Sequence, residues 1–321
     1  MDYPKIIIQL NLKLIKLYLN EQDDKMRGKL KISMLIFVLL LLNSLIGAVS
    51  AVNIYNINES SYSDYFDATG YINNPSVQAG DVLDCSGTLT NKDIFIDRAL
   101  NITSTDQTAQ IINGTITILN SGSGTNITRL KINNSLDCCK GIYLLNTTNN
   151  TIKENIIHCD GITGYGICLV GSSYNQIIEN NLSESNAING WQHSPIILGD
   201  SHYNDINYNY IVSNISNNIY LCTYSFADYS NGNPSTYNNI IGNTLFGVDN
   251  SWCYAIQIMG LYNTISNNTI TGAYRGISSD LSTEMGGEIT GGSNIITGNT
   301  ISATNCGIYF GSNCTVAENT I

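Results

Sequence analysis

Four carboxylates and one arginine offer the clearest chemistry in this 321-residue chain: Asp228, Asp280, Glu284, Glu288 and Arg275. Hydrolysis of a glycosidic bond needs a pair of carboxyl groups several ångströms apart, one to protonate the leaving oxygen and one to act as base or nucleophile. A similar oxygen cluster would suit Ca2+, the only cofactor these residues suggest. Arg275 is the only basic side chain after Lys153. Elimination on a uronate needs a base and positive charge at the substrate carboxylate, for which one arginine is thin support. Four acids on two loops are also what a solvated surface looks like, and on that plainer reading none of them is catalytic.

Aromatic side chains form two further patterns. Tyr165, Trp191, Trp252, Tyr254 and Tyr274 each stand two to five residues ahead of an apolar pulse, so flat rings along one edge could stack on successive sugars. Corner packing explains them nearly as well. Tyr174, Tyr203, Tyr237 and Tyr262 each directly precede a recurring asparagine, and that column reads as a structural stack. His158, His193 and His202 show no nucleophile and base at a recognisable spacing. The nine cysteines, at 85, 138, 139, 159, 168, 222, 253, 306 and 314, include no Cys-x-x-Cys and no histidines at metal-ligand spacing, so no metal site is expected. Outside a cell they suggest disulfides, with at least one thiol left over and no pair in the same register of adjacent repeats.

The elements that would position these residues follow from one phrase, Asn-x-Ile-x-x-Asn-x-Ile. It begins at Asn150, Asn175, Asn204, Asn238, Asn263 and Asn294, recurs with Cys314 in the first place, and has a weaker copy from Thr125 to Ile132. Its second asparagines, at 155, 180, 209, 243, 268, 299 and 319, are 25, 29, 34, 25, 31 and 20 residues apart, the signature of a solenoid with loops of variable length. Each unit adds a second apolar pulse, such as Gly141-Ile142-Tyr-Leu144 or Gly307-Ile308-Tyr-Phe310. Period-two alternation over such short runs means strands of three to five residues, and no unit sustains helical spacing. Three strands per unit, joined by turns rich in Asn and Gly, make one rung of an all-β parallel β-helix. Asparagine tolerates left-handed backbone at the corners, and identical amides stacked rung over rung can bond in a ladder.

These units resemble the right-handed parallel β-helix repeats of NosD-like and adhesin-like surface proteins of the methanogenic archaeal type, within the pectate-lyase-like superfamily. Residues 78–118 resemble the opening rungs, with Gly80-Asp81, Gly87, Ile94-Phe-Ile96, Leu100-Asn-Ile102 and Ile111-Ile112-Asn113-Gly114 in order. The resemblance covers about 240 residues and speaks for fold more than activity, because one scaffold hosts many functions. The segments expected of polygalacturonases and pectate lyases are absent, and the clustered His, Met or Cys that copper handling would need are scattered.

The ends are a different text. Arg27, Lys29 and Lys31 precede the apolar run Met34–Leu42, and Ala48-Val49-Ser50-Ala51 offers a cleavage site. Residues 26–51 therefore read as a secretory signal, or as an uncleaved membrane anchor, and residues 1–25 as an extension from an upstream start codon. Residues 52–77 read as a linker and cap, and 78–321 as the β-helix, stopping inside a repeat. A solenoid needs a cap on its last rung, so a longer chain is expected. The first 51 residues hold seven of the 14 basic and four of the 25 acidic residues; the remainder has seven against 21, a formal charge near −14. Such a surface repels nucleic acid.

Two insertions interrupt the repeat at one corner: Ile219 to Asn238 spans 19 residues and Ile277 to Asn294 spans 17. They flank a fifth unit with Gly260, Leu261 and Tyr262, so a shallow cleft is expected there, and long loops on a rigid scaffold commonly carry function. The leading expectation is an exported cell-surface rod, monomeric, non-enzymatic and adhesin-like, that touches extracellular or cell-wall polysaccharide. The alternative is a carbohydrate-active enzyme (lyase, hydrolase or epimerase) with its site in that cleft.

Overall fold

The computed structural model describes residues 52–161, 164–184, 194–213, 216–222, 224–225, 230–231, 233–247, 254–279, 292–311 and 313–321. All of them belong to one compact unit, Val52–Ile321. The expected extension and signal segment lie outside the described residues.

The chain is a right-handed parallel β-helix with three faces. Face 1 stacks eleven strands from Ile54–Ile57 to Thr315–Ala317, each paired in parallel with the next rung. Face 2 runs from Thr88–Thr90 through Ile156–Cys159, Asn181–Glu184 and Tyr210–Ser213 to Thr244–Gly247. Face 3 runs from Ile94–Ile96 through Lys140–Leu145, Tyr165–Val170, Ser194–Gly199 and Ile219–Cys222 to Tyr254–Ile258. In the last rungs the long strands Thr269–Ser279 and Thr300–Phe310 turn the corner without a break, merging faces 2 and 3 into one sheet. The coil's first strand, Ile54–Ile57, falls inside the stretch that the sequence assigns to a linker and cap. Ile57 points inward and is fully buried, and Tyr62 and Phe66 of the following turn join the same core.

The phrase specifies this geometry residue by residue. Its isoleucines point inward, so Ile152, Ile177, Ile206, Ile240, Ile265 and Ile296 form one buried column in register. Burying one such side chain contributes roughly 1.5–3 kcal/mol. The asparagines turn inward at the corners and form two ladders. One joins Asn150 to Asn294 with Nδ2 to Oδ1 distances of 2.8–3.2 Å, and the other joins Asn155 to Asn319 at 2.9–3.1 Å. The left-handed backbone falls one residue earlier than the sequence suggests. Glu154, Glu179, Tyr208 and Asn267 have φ of +56° to +60°, and Tyr174, Tyr203, Tyr237 and Tyr262 have +56° to +60°. Because a non-glycine residue there costs roughly 1–2 kcal/mol, the ladders are held against local strain.

Corner lengths decide where function can sit. Two residues always link face 1 to face 2, from Thr128–Lys131 up to Thr297–Thr300. The links into face 3 vary, with nine residues between Glu184 and Ser194, and so do those leaving it, with 16 between Cys222 and Asn239 and 15 between Ser279 and Ile295. Every long departure borders face 3. Its outer side is also unlike the other two, because Cys168, Ile197 and Tyr220 point outward yet are buried, forming with Val170 and Cys222 a second apolar cluster outside the coil.

Candidate functional site

Register places Tyr165, Ser194, Asn217, Tyr254 and Arg275 in one column where the chain enters face 3. At its upper end Arg275 lies against both Tyr254 and Tyr274, its guanidinium carbon 5.0 and 5.7 Å from the two ring centroids. Its Nη1 donates to the Tyr254 hydroxyl at 2.8 Å. Asn305 donates to the Tyr274 hydroxyl at 3.0 Å, and the Asn217 side chain accepts the Tyr254 backbone N–H at 2.8 Å. All three members of the cluster are half-buried. The result is a rigid plate of two rings and a planar cation, whose open edges can meet the apolar C–H face and the hydroxyls of a sugar. Tyr165 does not join it. It sits three rungs below Tyr254 and packs on the outer apolar cluster.

The carboxylates that the structure describes in these rungs are already engaged. Asp160 pairs with His158 Nε2 at 2.5 Å, and His158 Nδ1 lies 2.8 Å from Ser183 Oγ. Asp200 meets His202 Nε2 at 3.2 Å; the other ring nitrogen accepts the Thr236 backbone N–H at 3.2 Å and lies 2.9 Å from Thr236 Oγ1. Asp205 accepts from Asn239 at 2.8 Å. Sequence spacing did not reveal the two histidine relays, because each histidine meets its hydroxyl partner one rung above.

Glu184 is a different case: it points into the corner between faces 2 and 3 and is only 3% exposed. Oε2 accepts from Ser216 Oγ at 2.6 Å, while Oε1 has no partner. Burial pushes this carboxyl up to about 7, with Cys139 and Asp160 adding to the rise and the Ser216 bond opposing it. A carboxyl whose folded-state value is raised favours the folded state when protonated. Its contribution is therefore intact below about pH 4.5 and is lost as pH rises toward 7. Glu184→Gln should remove that loss, stabilising the chain by about 3 kcal/mol at pH 8 and by little at pH 4.5, as read from denaturation midpoints at the two pH values.

Tyr174, Tyr203, Tyr237 and Tyr262 do stack, with centroids 4.9, 4.9 and 5.1 Å apart and planes within 9° of parallel. The stack runs along the corner where face 3 hands over to face 1. Of the residues expected around the cleft, Gly260 is buried, Leu261 is half-buried and Tyr262 closes the stack. Asp228, Asp280, Glu284, Glu288, Trp191 and Trp252 lie outside the described residues. Among the described residues no group of three or more His, Cys, Asp or Glu is placed to hold a metal ion.

No family model matches the sequence, and no curated protein does. Solved structures do match. The catalytic domain of a GH87 alpha-1,3-glucanase, as an Asp-to-Ala variant in complex with nigerose, superposes with a TM-score of 0.55 at 17% identity, over 78% of this chain and 45% of that one. The unsubstituted catalytic domain with nigerose gives 0.52 at 17% identity, over 73% and 45%. What is shared is the β-helix. The chain spans about 45% of the length of these domains. The likeness corrects one expectation. Repeat style alone carries the non-enzymatic, adhesin-like reading, whereas the two solved structures named above are catalytic domains in complex with nigerose.

Proposed function

We propose that this β-helix is a carbohydrate-active enzyme that hydrolyses a neutral polysaccharide along face 3. The observation that carries the reading is the concentration of irregularity on that face. Every long connection borders it, and its entry edge holds the Tyr254, Arg275 and Tyr274 plate. Rigid scaffolds carry their chemistry on such departures. The likeness to glucanase catalytic domains supports the reaction class.

Hydrolysis is favoured over elimination by the fate of Arg275. As the only basic side chain after Lys153, it is committed to two tyrosines, and the segment after residue 51 is strongly acidic. A uronate polymer would meet repulsion with no cation to offset it. After Cys222, the acids that the sequence places in the links bordering face 3 are Asp228, Asp249, Asp280, Glu284 and Glu288. Export through residues 26–51 would bring such an enzyme to its polymer.

The test is release of reducing ends from alpha-1,3-glucan and from a panel of other neutral and acidic polysaccharides. Turnover on a neutral glucan supports the proposal; unsaturated products from a uronate polymer, or binding without release, overturn it. Tyr254→Ala should raise KM about tenfold with a smaller change in kcat, because the plate binds sugar without touching the cleaved bond.

A further inference from the structure

We infer that Cys139 and Cys159 form a disulfide across the corner between faces 2 and 3, stapling consecutive rungs directly beside Glu184. Cys159 ends the face 2 strand Ile156–Cys159, while Cys139 stands just before the face 3 strand Lys140–Leu145 of the rung below. The Cys139 thiol contacts the Asn134 carbonyl oxygen, which also accepts the Asp160 backbone N–H at 2.8 Å, and Asn134 is the register partner of Cys159, so the two free thiols share one corner and both are at least 96% buried.

The space around the sulfurs is kept open by glycine. A Cβ on Gly161 or Gly164 would come within 2.8 or 3.0 Å of the Cys139 sulfur, and one on Gly141 would stand 3.5 Å from that of Cys159. The Cys139 thiol has a long contact, 3.5 Å, to the Asn134 carbonyl oxygen. The Cys159 thiol and the Gly161 backbone N–H draw the Cys139 thiol down from the usual thiol range. Attack in thiol–disulfide exchange comes from the thiolate, the form toward which the folded corner shifts Cys139. Exposed Cys138 faces no such partner and has φ of +58°.

The step balances with a small-molecule disulfide as oxidant, met while the chain folds. The Cys139 thiolate opens that disulfide to a mixed disulfide and releases one small thiol. The Cys159 sulfur then displaces the second and gives up its proton, so two protein thiols become one S–S bond and the oxidant becomes two thiols. The link closes a loop of 20 residues, long enough to constrain the unfolded chain appreciably.

The full chain would be refolded in a glutathione redox buffer, alkylated under denaturing conditions and digested without reductant. The expected product is one cross-linked peptide pair joining Cys139 to Cys159, two hydrogens lighter than the sum of the free peptides. Cys138→Ser should leave it in place. Reductant should lower Tm by about 5–10 °C in the wild-type chain and far less in Cys159→Ser. Alkylation of both Cys139 and Cys159 after refolding, or a link that runs from Cys138, would overturn the inference. An active hydrolase without the link, or a linked chain without hydrolase activity, separates this claim from the proposed function.

Discussion

Replacing Asn209 with alanine should lower the stability of the chain by about 4 kcal/mol, among the largest effects that any single buried polar substitution here should produce. Its Nδ2 donates to the Ile177 carbonyl at 2.8 Å and to Asn243 Oδ1 at 3.0 Å, and its backbone N–H donates to the same Oδ1 at 2.9 Å. Its Oδ1 accepts the Asn180 backbone N–H at 2.9 Å and the Asn180 Nδ2 at 3.1 Å. Truncation leaves two N–H donors of Asn180 and one carbonyl without partners in a dry interior, each worth about 1–3 kcal/mol in part. Asn209→Asp keeps the shape but turns a donor into an oxygen facing Asn243 Oδ1 and the Ile177 carbonyl. At neutral pH it should be at least as damaging. Because a protonated carboxyl can donate once, its deficit against the wild-type chain should shrink as pH falls below about 5. Asn181→Ala, at an exposed outward position of face 2, should change stability by less than about 0.5 kcal/mol. Denaturant midpoints separate the three, and hydrogen exchange should show the loss concentrated in the rungs next to Asn209, since each rung touches only its neighbours.

That amide also shows how much of the fold was legible beforehand. An asparagine five residues from the previous one, with an isoleucine two places after each, leaves a short strand little choice of face. The inward column, the two ladders and the tyrosine stack all follow from stacking identical units. The left-handed position is harder to see, since Glu154, Tyr208, Gly242 and Asn267 share only their φ and no residue type. What happens across a variable corner is harder still. Cys139 and Cys159 occupy no common strand register, and their meeting depends on the path of residues 134–140. The His158 relay is hidden for a related reason: Ser183 is 25 residues away in sequence but one rung away in space. Tyr165 looked equivalent to Tyr254 because both precede an apolar pulse. The outer side of face 3 separates them, packing half-buried Tyr165 on its apolar cluster while Tyr254 meets Arg275.

If the chain is a hydrolase, Asp280→Asn and Glu284→Gln should each reduce turnover by a factor of about 10³ or more while leaving Tm within a degree or two. Cleavage of a glycosidic bond needs two carboxyl groups free to exchange protons with substrate or water. Asp160 and Asp200 are held by histidines, Asp205 is bonded to Asn239, and Glu184 is sealed in the corner where no glycosidic oxygen can reach it. The segment that follows Ser279, at the exit edge of face 3, begins with Asp280 and carries Glu284 four residues later. The strand that Ser279 ends lies one rung above the Tyr254 strand and carries Arg275 of the plate. Asp200→Asn serves as the contrast, with an expected loss of stability through His202 and little change in kcat. Should Asp200→Asn abolish turnover while Asp280→Asn and Glu284→Gln retain it, the acid–base pair would belong to the histidine relay beside the Ser194–Gly199 strand, and the site would move down three rungs.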